Sequence, residues 1–130
     1  HGVAKIKNNL QKKIALGNTK SKRDWGHAKD YVKAMWLILQ KEEPDDYVVG
    51  TGVTHSVEEF ARKAFEYVGL NYKDYIILDS NLIRPAEVST LLANYTKAKK
   101  NLKWKPEITF DNLVIDMVKS DLEFTKNYEY

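Results

Sequence analysis

Lys22-Arg23-Asp24-Trp25-Gly26-His27-Ala28-Lys29-Asp30-Tyr31-Val32 is the stretch on which the rest of the chain turns: a polar, turn-forming run that delivers an arginine and a tryptophan to the mouth of an apolar helix. From Ala28 onward, Ala28, Tyr31, Val32, Met35, Trp36 and Leu39 recur at i, i+3, i+4, i+7, i+8 and i+11, which predicts one continuous helical face. Ala34, Leu37 and Ile38 add apolar surface on other sides. A helix this apolar around its circumference belongs between two layers, and a chain of 130 residues has few elements with which to build the second. Pro44 and Asp45-Asp46 end it.

Upstream, Val3, Ile6 and Leu10 recur at helical spacing, so residues 1–11 read as the tail of a helix. No capping residue precedes them, and the expectation is that sequence upstream has been cut away. Ile14-Ala15-Leu16 reads as a short strand and Gly17-Asn18 as a turn. Downstream, residues 47–52 form an apolar run closed by glycines, suited to a strand of a parallel sheet buried on both faces. Ser56 and Glu59 make a capping box for a helix whose inner face is Val57, Phe60, Ala61, Ala64, Phe65 and Val68, ended by Gly69. Residues 75–78 read as a strand. Pro85 biases Arg84 to an extended backbone, so this arginine projects from a fixed, non-helical position. Thr96 is expected to cap a short helix through Leu102 with Trp104 behind it. A final helix over about residues 111–124 turns Leu113, Val114, Met117, Val118 and Leu122 inward.

Length and composition suit one domain with a single core, small for a protein that must hold both a dinucleotide and a substrate. Cysteine is absent and the three histidines are scattered, which rules out disulfides and thiolate metal sites and leaves zinc without a ligand set. No apolar run approaches the roughly 20 residues that span a bilayer, so no membrane partner is expected, and a cytoplasmic setting fits the missing cysteines. The net charge of +3 is mild. Basic runs such as residues 97–100 read as solvated surface, and no nucleic-acid-binding motif accompanies them.

The motifs of a self-sufficient active site are missing: there is no G-x-G-x-x-G after a strand, no P-loop, no H-E-x-x-H and no G-x-S-x-G. What remains is ligand capture. Arg23 and Arg84 each sit in a non-helical segment, and Glu87 follows three residues after the second. Two guanidinium forks converging on one cleft suit a diphosphate, and a nearby carboxylate suits sugar hydroxyls that donate to it. The alternative is a salt bridge from Arg23 to Asp24 or Asp30, and from Arg84 to Glu87. His27 and His55 read as helix-flanking or packing residues.

The order and spacing of Ile14-Ala15-Leu16-Gly17-Asn18, Arg23-Asp24-Trp25-Gly26-His27-Ala28, Glu43-Pro44-Asp45-Asp46-Tyr47, Ile83-Arg84-Pro85-Ala86-Glu87-Val88 and Leu102-Lys103-Trp104-Lys105-Pro106 closely resemble the C-terminal part of the GDP-mannose 4,6-dehydratase family. The resemblance covers essentially the whole chain. It implies an α/β fold, the substrate-binding portion of an extended short-chain dehydrogenase/reductase, with short strands and about four helices and without the Rossmann half. Residues 1–130 would then be one nucleotide-sugar-binding domain.

The same resemblance implies that Arg23 and Arg84 hold the diphosphate region, that Glu87 binds ribose hydroxyls, and that Leu16, Gly17 and Asn18 lie near the guanine. It implies further that NADP and the catalytic residues belong to an N-terminal Rossmann half, which would also cover the helix over residues 31–39. No cofactor is expected on this chain. The family reaction is oxidation at C4 of GDP-mannose, loss of water across C5 and C6, and return of hydride to C6. The full-length protein would be a homo-oligomer. Ile83 where an aromatic often precedes the arginine, Ala93-Asn94 for a common Gly-Asp, and a short segment between Leu70 and Tyr75 depart from the family pattern. A related GDP-sugar dehydratase, epimerase or reductase, or a free-standing binding module, therefore stays open.

Overall fold

The computed structural model describes residues 1–127. In chain order it contains α1 (Gly2–Lys7), β1 (Ile14–Leu16), β2 (Lys22–Arg23), α2 (Ala28–Leu39), β3 (His55–Ser56), α3 (Val57–Tyr67), β4 (Ile76–Leu78), β5 (Thr90–Leu91), α4 (Thr96–Leu102) and α5 (Phe110–Asn127), with single 3-10 turns at Tyr72–Asp74 and Ser80–Leu82. The mixed α/β class is as expected, with short strands and five helices rather than about four. The chain divides into two compact units, one of residues 1–21, 56–89 and 114 onward, the other of residues 22–55 and 90–113.

In the first unit β1 and β4 pair in parallel, Ile14 opposite Ile76 and Leu16 opposite Leu78. A parallel pair needs a long crossover, and α3 lies within it. Ser56 caps α3 as expected, its Oγ accepting from the Glu59 N–H at 3.0 Å. At the other end Gly69 takes φ +72°; its N–H donates to the Glu66 carbonyl and that of Leu70 to the Phe65 carbonyl, the paired bonds of a Schellman ending. Ala64, Phe65 and Val68 are buried, and Phe65 stacks on Tyr75 with ring centres 5.4 Å apart.

Helix α1 ends the same way through Asn9 at φ 60°, with Asn9 N–H to Ile6 and Leu10 N–H to Lys5. Leu10 therefore leaves the helix and is half exposed, not part of the inner row with Val3 and Ile6. Lys7 donates to the Val68 carbonyl and Asn8 to Thr125 Oγ1. On α5, Val114, Val118 and Thr125 are buried. Leu113 is buried as well, while Met117, expected inside, is 47% exposed although its neighbours on the same face are covered.

The second unit is built on Ala34 of α2 against Ala98 and Leu102 of α4 and Trp104, with Tyr31, Leu37, Ile38, Tyr47, Val49 and Tyr95 around them. Trp104 Nε1–H donates to the Asp30 carbonyl at 2.9 Å. The longer apolar row of α2 points the other way: Val32 is 62%, Met35 59%, Trp36 60% and Leu39 80% exposed. Two alanines with no exposed surface let the helix backbones approach closely, so small size and not apolar count chooses the packed face.

Residues 47–51, expected as a buried strand, belong to no ladder among the described residues. Tyr47 and Val49 lean on the core while Val48 is 55% exposed, so the alternation survives without a partner strand. Thr96 is not the cap of α4 but its first residue; Tyr95 occupies the cap position without a side-chain bond. The Thr96 N–H is instead taken by Asn94 Oδ1 at 3.1 Å.

Candidate functional site

In the first unit, β1 carries the chain into Gly17. A Cβ at Gly17 would lie 2.5 Å from the Leu82 carbonyl oxygen and 3.2 Å from the Ile83 nitrogen, so only glycine lets these strands of chain touch. The Asp79 N–H donates to the Leu16 carbonyl at 2.9 Å, and Asp79 Oδ1 accepts from the Asn81 N–H, which shapes the turn leading to Arg84. The structure thus brings Leu16 and Gly17 against the segment that leads into Arg84, with Asn18 next in the chain. Asn18 uses its Oδ1 on the Lys20 N–H.

Arg84 is exposed and Glu87 half-buried, on either side of the Pro85–Ala86 turn. Arg84 has no hydrogen bond or ion pair among the described residues, so the local clasp to Glu87 is not formed. Leu16 also enters a cavity of about 280 Å³ with Ala61, Ile76 and Leu78 as apolar wall. At its rim the Tyr72 hydroxyl donates to Glu58 Oε1 at 2.7 Å, a bond that raises the phenol above its usual range. Gly17 and Asn18 lie outside this cavity lining.

In the second unit Arg23 closes β2, which pairs in parallel with β5, Arg23 opposite Leu91. Its Nη1 donates to the Lys22 carbonyl at 2.8 Å. The carboxylates named as salt-bridge alternatives for Arg23 are engaged by backbone donors. Asp24 Oδ1 accepts from the Thr51 N–H at 2.8 Å and the Thr51 hydroxyl at 2.6 Å, and Oδ2 from the N–H groups of Gly52 at 2.9 Å and Ala93 at 3.2 Å. Burial alone would push this carboxyl up, but the four hydrogen bonds together hold it below its ordinary value. Asp30 is buried and its Oδ2 accepts from Glu107 and Ile108, both at 3.0 Å.

His27 flanks α2 as expected, its Nδ1 accepting from the Lys29 N–H at 3.1 Å. His55 packs, stacked on Phe110 with centroids 3.8 Å apart, and Trp25 stacks on the same ring at 5.9 Å. Sequence reasoning missed Asp24 and Asp30 as organisers. No local signal could have found them, because the N–H groups that each one binds lie 27 or more positions away in the sequence.

No cluster of metal-ligating side chains occurs among the described residues, and none of their helices is long and apolar enough to cross a membrane.

Residues 1–117 match the family model described as GDP-mannose 4,6 dehydratase. The chain is 53% identical over 124 residues to GDP-mannose 4,6 dehydratase 2 of Arabidopsis thaliana, covering 95% of this chain and 33% of that protein. It is 43% identical to the human GDP-mannose 4,6 dehydratase, covering 95% of this chain and 38% of that one. The chain therefore spans about a third of the length of the curated relatives it matches. Among solved structures, RMD from Pseudomonas aeruginosa complexed with NADPH superposes with a TM-score of 0.83 at 21% identity, over 94% of this chain and 40% of that one, which establishes a shared fold. With the match running through both arginines and Glu87, the chain belongs to the GDP-mannose 4,6 dehydratase family.

Proposed function

We propose that this chain is the nucleotide-sugar-binding part of a GDP-mannose 4,6-dehydratase, which converts GDP-mannose to GDP-4-keto-6-deoxymannose and water. The family match over residues 1–117 carries the reading. In it Arg84 donates to the diphosphate, Glu87 accepts from ribose hydroxyls, Arg23 supplies a second guanidinium, and Leu16, Gly17 and Asn18 border the guanine. The exposed, unclasped guanidinium of Arg84, set by Pro85 on an extended backbone, supports that role. Residues 1–130 act in this reading as one functional domain for the GDP-sugar.

NADP is assigned to the rest of the full-length protein, because the residues of this chain do not fit it. The turn bracketed by Gly50 and Gly52 has the composition of a phosphate cradle, yet its N–H groups at Thr51 and Gly52 are given to the Asp24 carboxylate. A Cβ at Gly50 would lie 2.2 Å from that of Ala93, so this glycine serves internal packing. The N-terminal half is also the partner proposed for the exposed face of α2, in a cytoplasmic homo-oligomer.

The test uses the full-length enzyme. Arg84→Ala raises the KM for GDP-mannose by about 10- to 150-fold, the loss of a charge-assisted hydrogen bond of roughly 1.5–3 kcal/mol, with NADP affinity and melting temperature nearly unchanged. Arg84→Lys recovers little, since a point charge does not reproduce a planar fork. Wild-type kinetics in both variants would remove Arg84 from the site. Turnover of a GDP-sugar panel then separates GDP-mannose from related substrates.

A further inference from the structure

Arg23 is the last residue of β2 and Asp24 the first beyond it. The ladder that carries Arg23 is only two residues long. Such a ladder is a weak fixture for a long, rotamer-rich side chain. The stronger fixture is next door. One carboxylate gathers four donors from Thr51, Gly52 and Ala93, and Ala93 lies two residues beyond the β5 strand that pairs with Arg23. Asp24 thereby ties the end of β2 to the continuation of its partner strand and to the glycine turn together.

The chemistry of the bonds requires a carboxylate in particular. Thr51 brings two donors to Oδ1, and Gly52 and Ala93 bring one each to Oδ2. An asparagine offers only one oxygen, and its NH2 would face two donors that have no other acceptor there. Against the upward push of burial, the same four bonds hold the Asp24 carboxyl below its ordinary value.

We propose that Asp24 is a positioning residue for nucleotide-sugar binding: it fixes the backbone from which Arg23 reaches the anionic ligand. This rests on the reading of Arg23 as a diphosphate ligand. Asp24 itself touches no ligand, so its loss acts through Arg23 and not beside it.

The experiment is a double-mutant cycle in the full-length enzyme with GDP-mannose and NADP, reading KM, kcat and melting temperature for Arg23→Ala, Asp24→Asn and the pair. The expected result is a KM about tenfold or more higher for each single variant, kcat changed far less, and a double variant no worse than Arg23→Ala alone. Thr51→Val, which removes one of the four donors without changing shape, covers the case in which Asp24→Asn does not fold. It raises KM by about two- to tenfold, and has no effect on KM in the Arg23→Ala background. An unchanged KM in Arg23→Ala would sink the diphosphate role of Arg23, and this proposal with it. A raised KM in Arg23→Ala beside a flat KM in Asp24→Asn or Thr51→Val, with only the melting temperature moved, would sink the positioning role alone. Additive effects in the double variant would do the same.

Discussion

At the scale of single residues, Asp24 and Asp30 behave alike: each is a carboxylate held by main-chain N–H groups distant in sequence, with the Thr51 hydroxyl added at Asp24. The donors to Asp24 come from 27 to 69 positions away and those to Asp30 from 77 and 78 away. Local spacing holds no trace of them, which is why both aspartates read as salt-bridge partners for Arg23. Arg84 is different, because the residue that sets its backbone is its own neighbour Pro85, and its projection was legible. The hydrogen bonds to Asp24 make a pH prediction. Its folded value lies below that of an ordinary aspartate, so its contribution to stability is fully present above the unfolded value and is lost as the pH falls through the folded one. Melting the protein across roughly pH 6 to pH 3 should therefore show wild type losing more stability than Asp24→Asn over the same interval. Parallel acid limbs in the two proteins would mean that the Asp24 carboxylate is not held by those bonds.

At the scale of elements, the parts written in local chemistry were readable and the parts decided by packing were not. Ser56 and Gly69 bracket α3 as expected, because a capping hydroxyl and a left-handed glycine act within one turn. The face of α2 was not readable: periodicity marks rows of apolar residues, but Ala34 meeting Ala98 decides which row is covered. Residues 47–51 kept the alternation of a strand and lack a ladder partner among the described residues, and no pattern within those five residues can reveal that. Gly17 and Gly69 make a paired test. Gly69 has nothing within 4 Å of a Cβ, so Gly69→Ala meets only the left-handed backbone penalty, about 1–2 kcal/mol. Gly69→Asn should cost less. Gly17→Ala drives a methyl into the Leu82 carbonyl and should cost more than Gly69→Ala. Urea midpoints for the three variants give the order, and a Gly17→Ala as stable as wild type would remove the close approach of the Leu16–Asn18 and Leu82–Arg84 segments.

At the scale of the whole molecule, the chain passes between its two compact units several times, so no glycine- or serine-rich linker marks a boundary and the composition is even throughout. The apolar surface is distributed less evenly. Val32, Met35, Trp36 and Leu39 of α2 are all more than half exposed, and Val48 just beyond the helix is as well. Single exposed apolar residues need no explanation, but a contiguous row on one helix is the kind of patch that soluble monomers rarely leave open beyond a few hundred Å². Prepared by itself, this chain should self-associate with rising concentration and bind a hydrophobic dye, and Trp36→Lys should weaken both effects while leaving the Ala34–Ala98 packing and the far-ultraviolet spectrum unchanged. In the full-length protein, where the remaining two thirds are proposed to cover α2, Trp36 should be shielded. The fluorescence lost on Trp36→Phe would then be blue-shifted and poorly quenched by acrylamide there, and red-shifted and readily quenched in dilute, separately prepared chain. A monodisperse, dye-silent chain at high concentration, or a Trp36 equally open to quencher in both settings, would mean that this face has no partner to find.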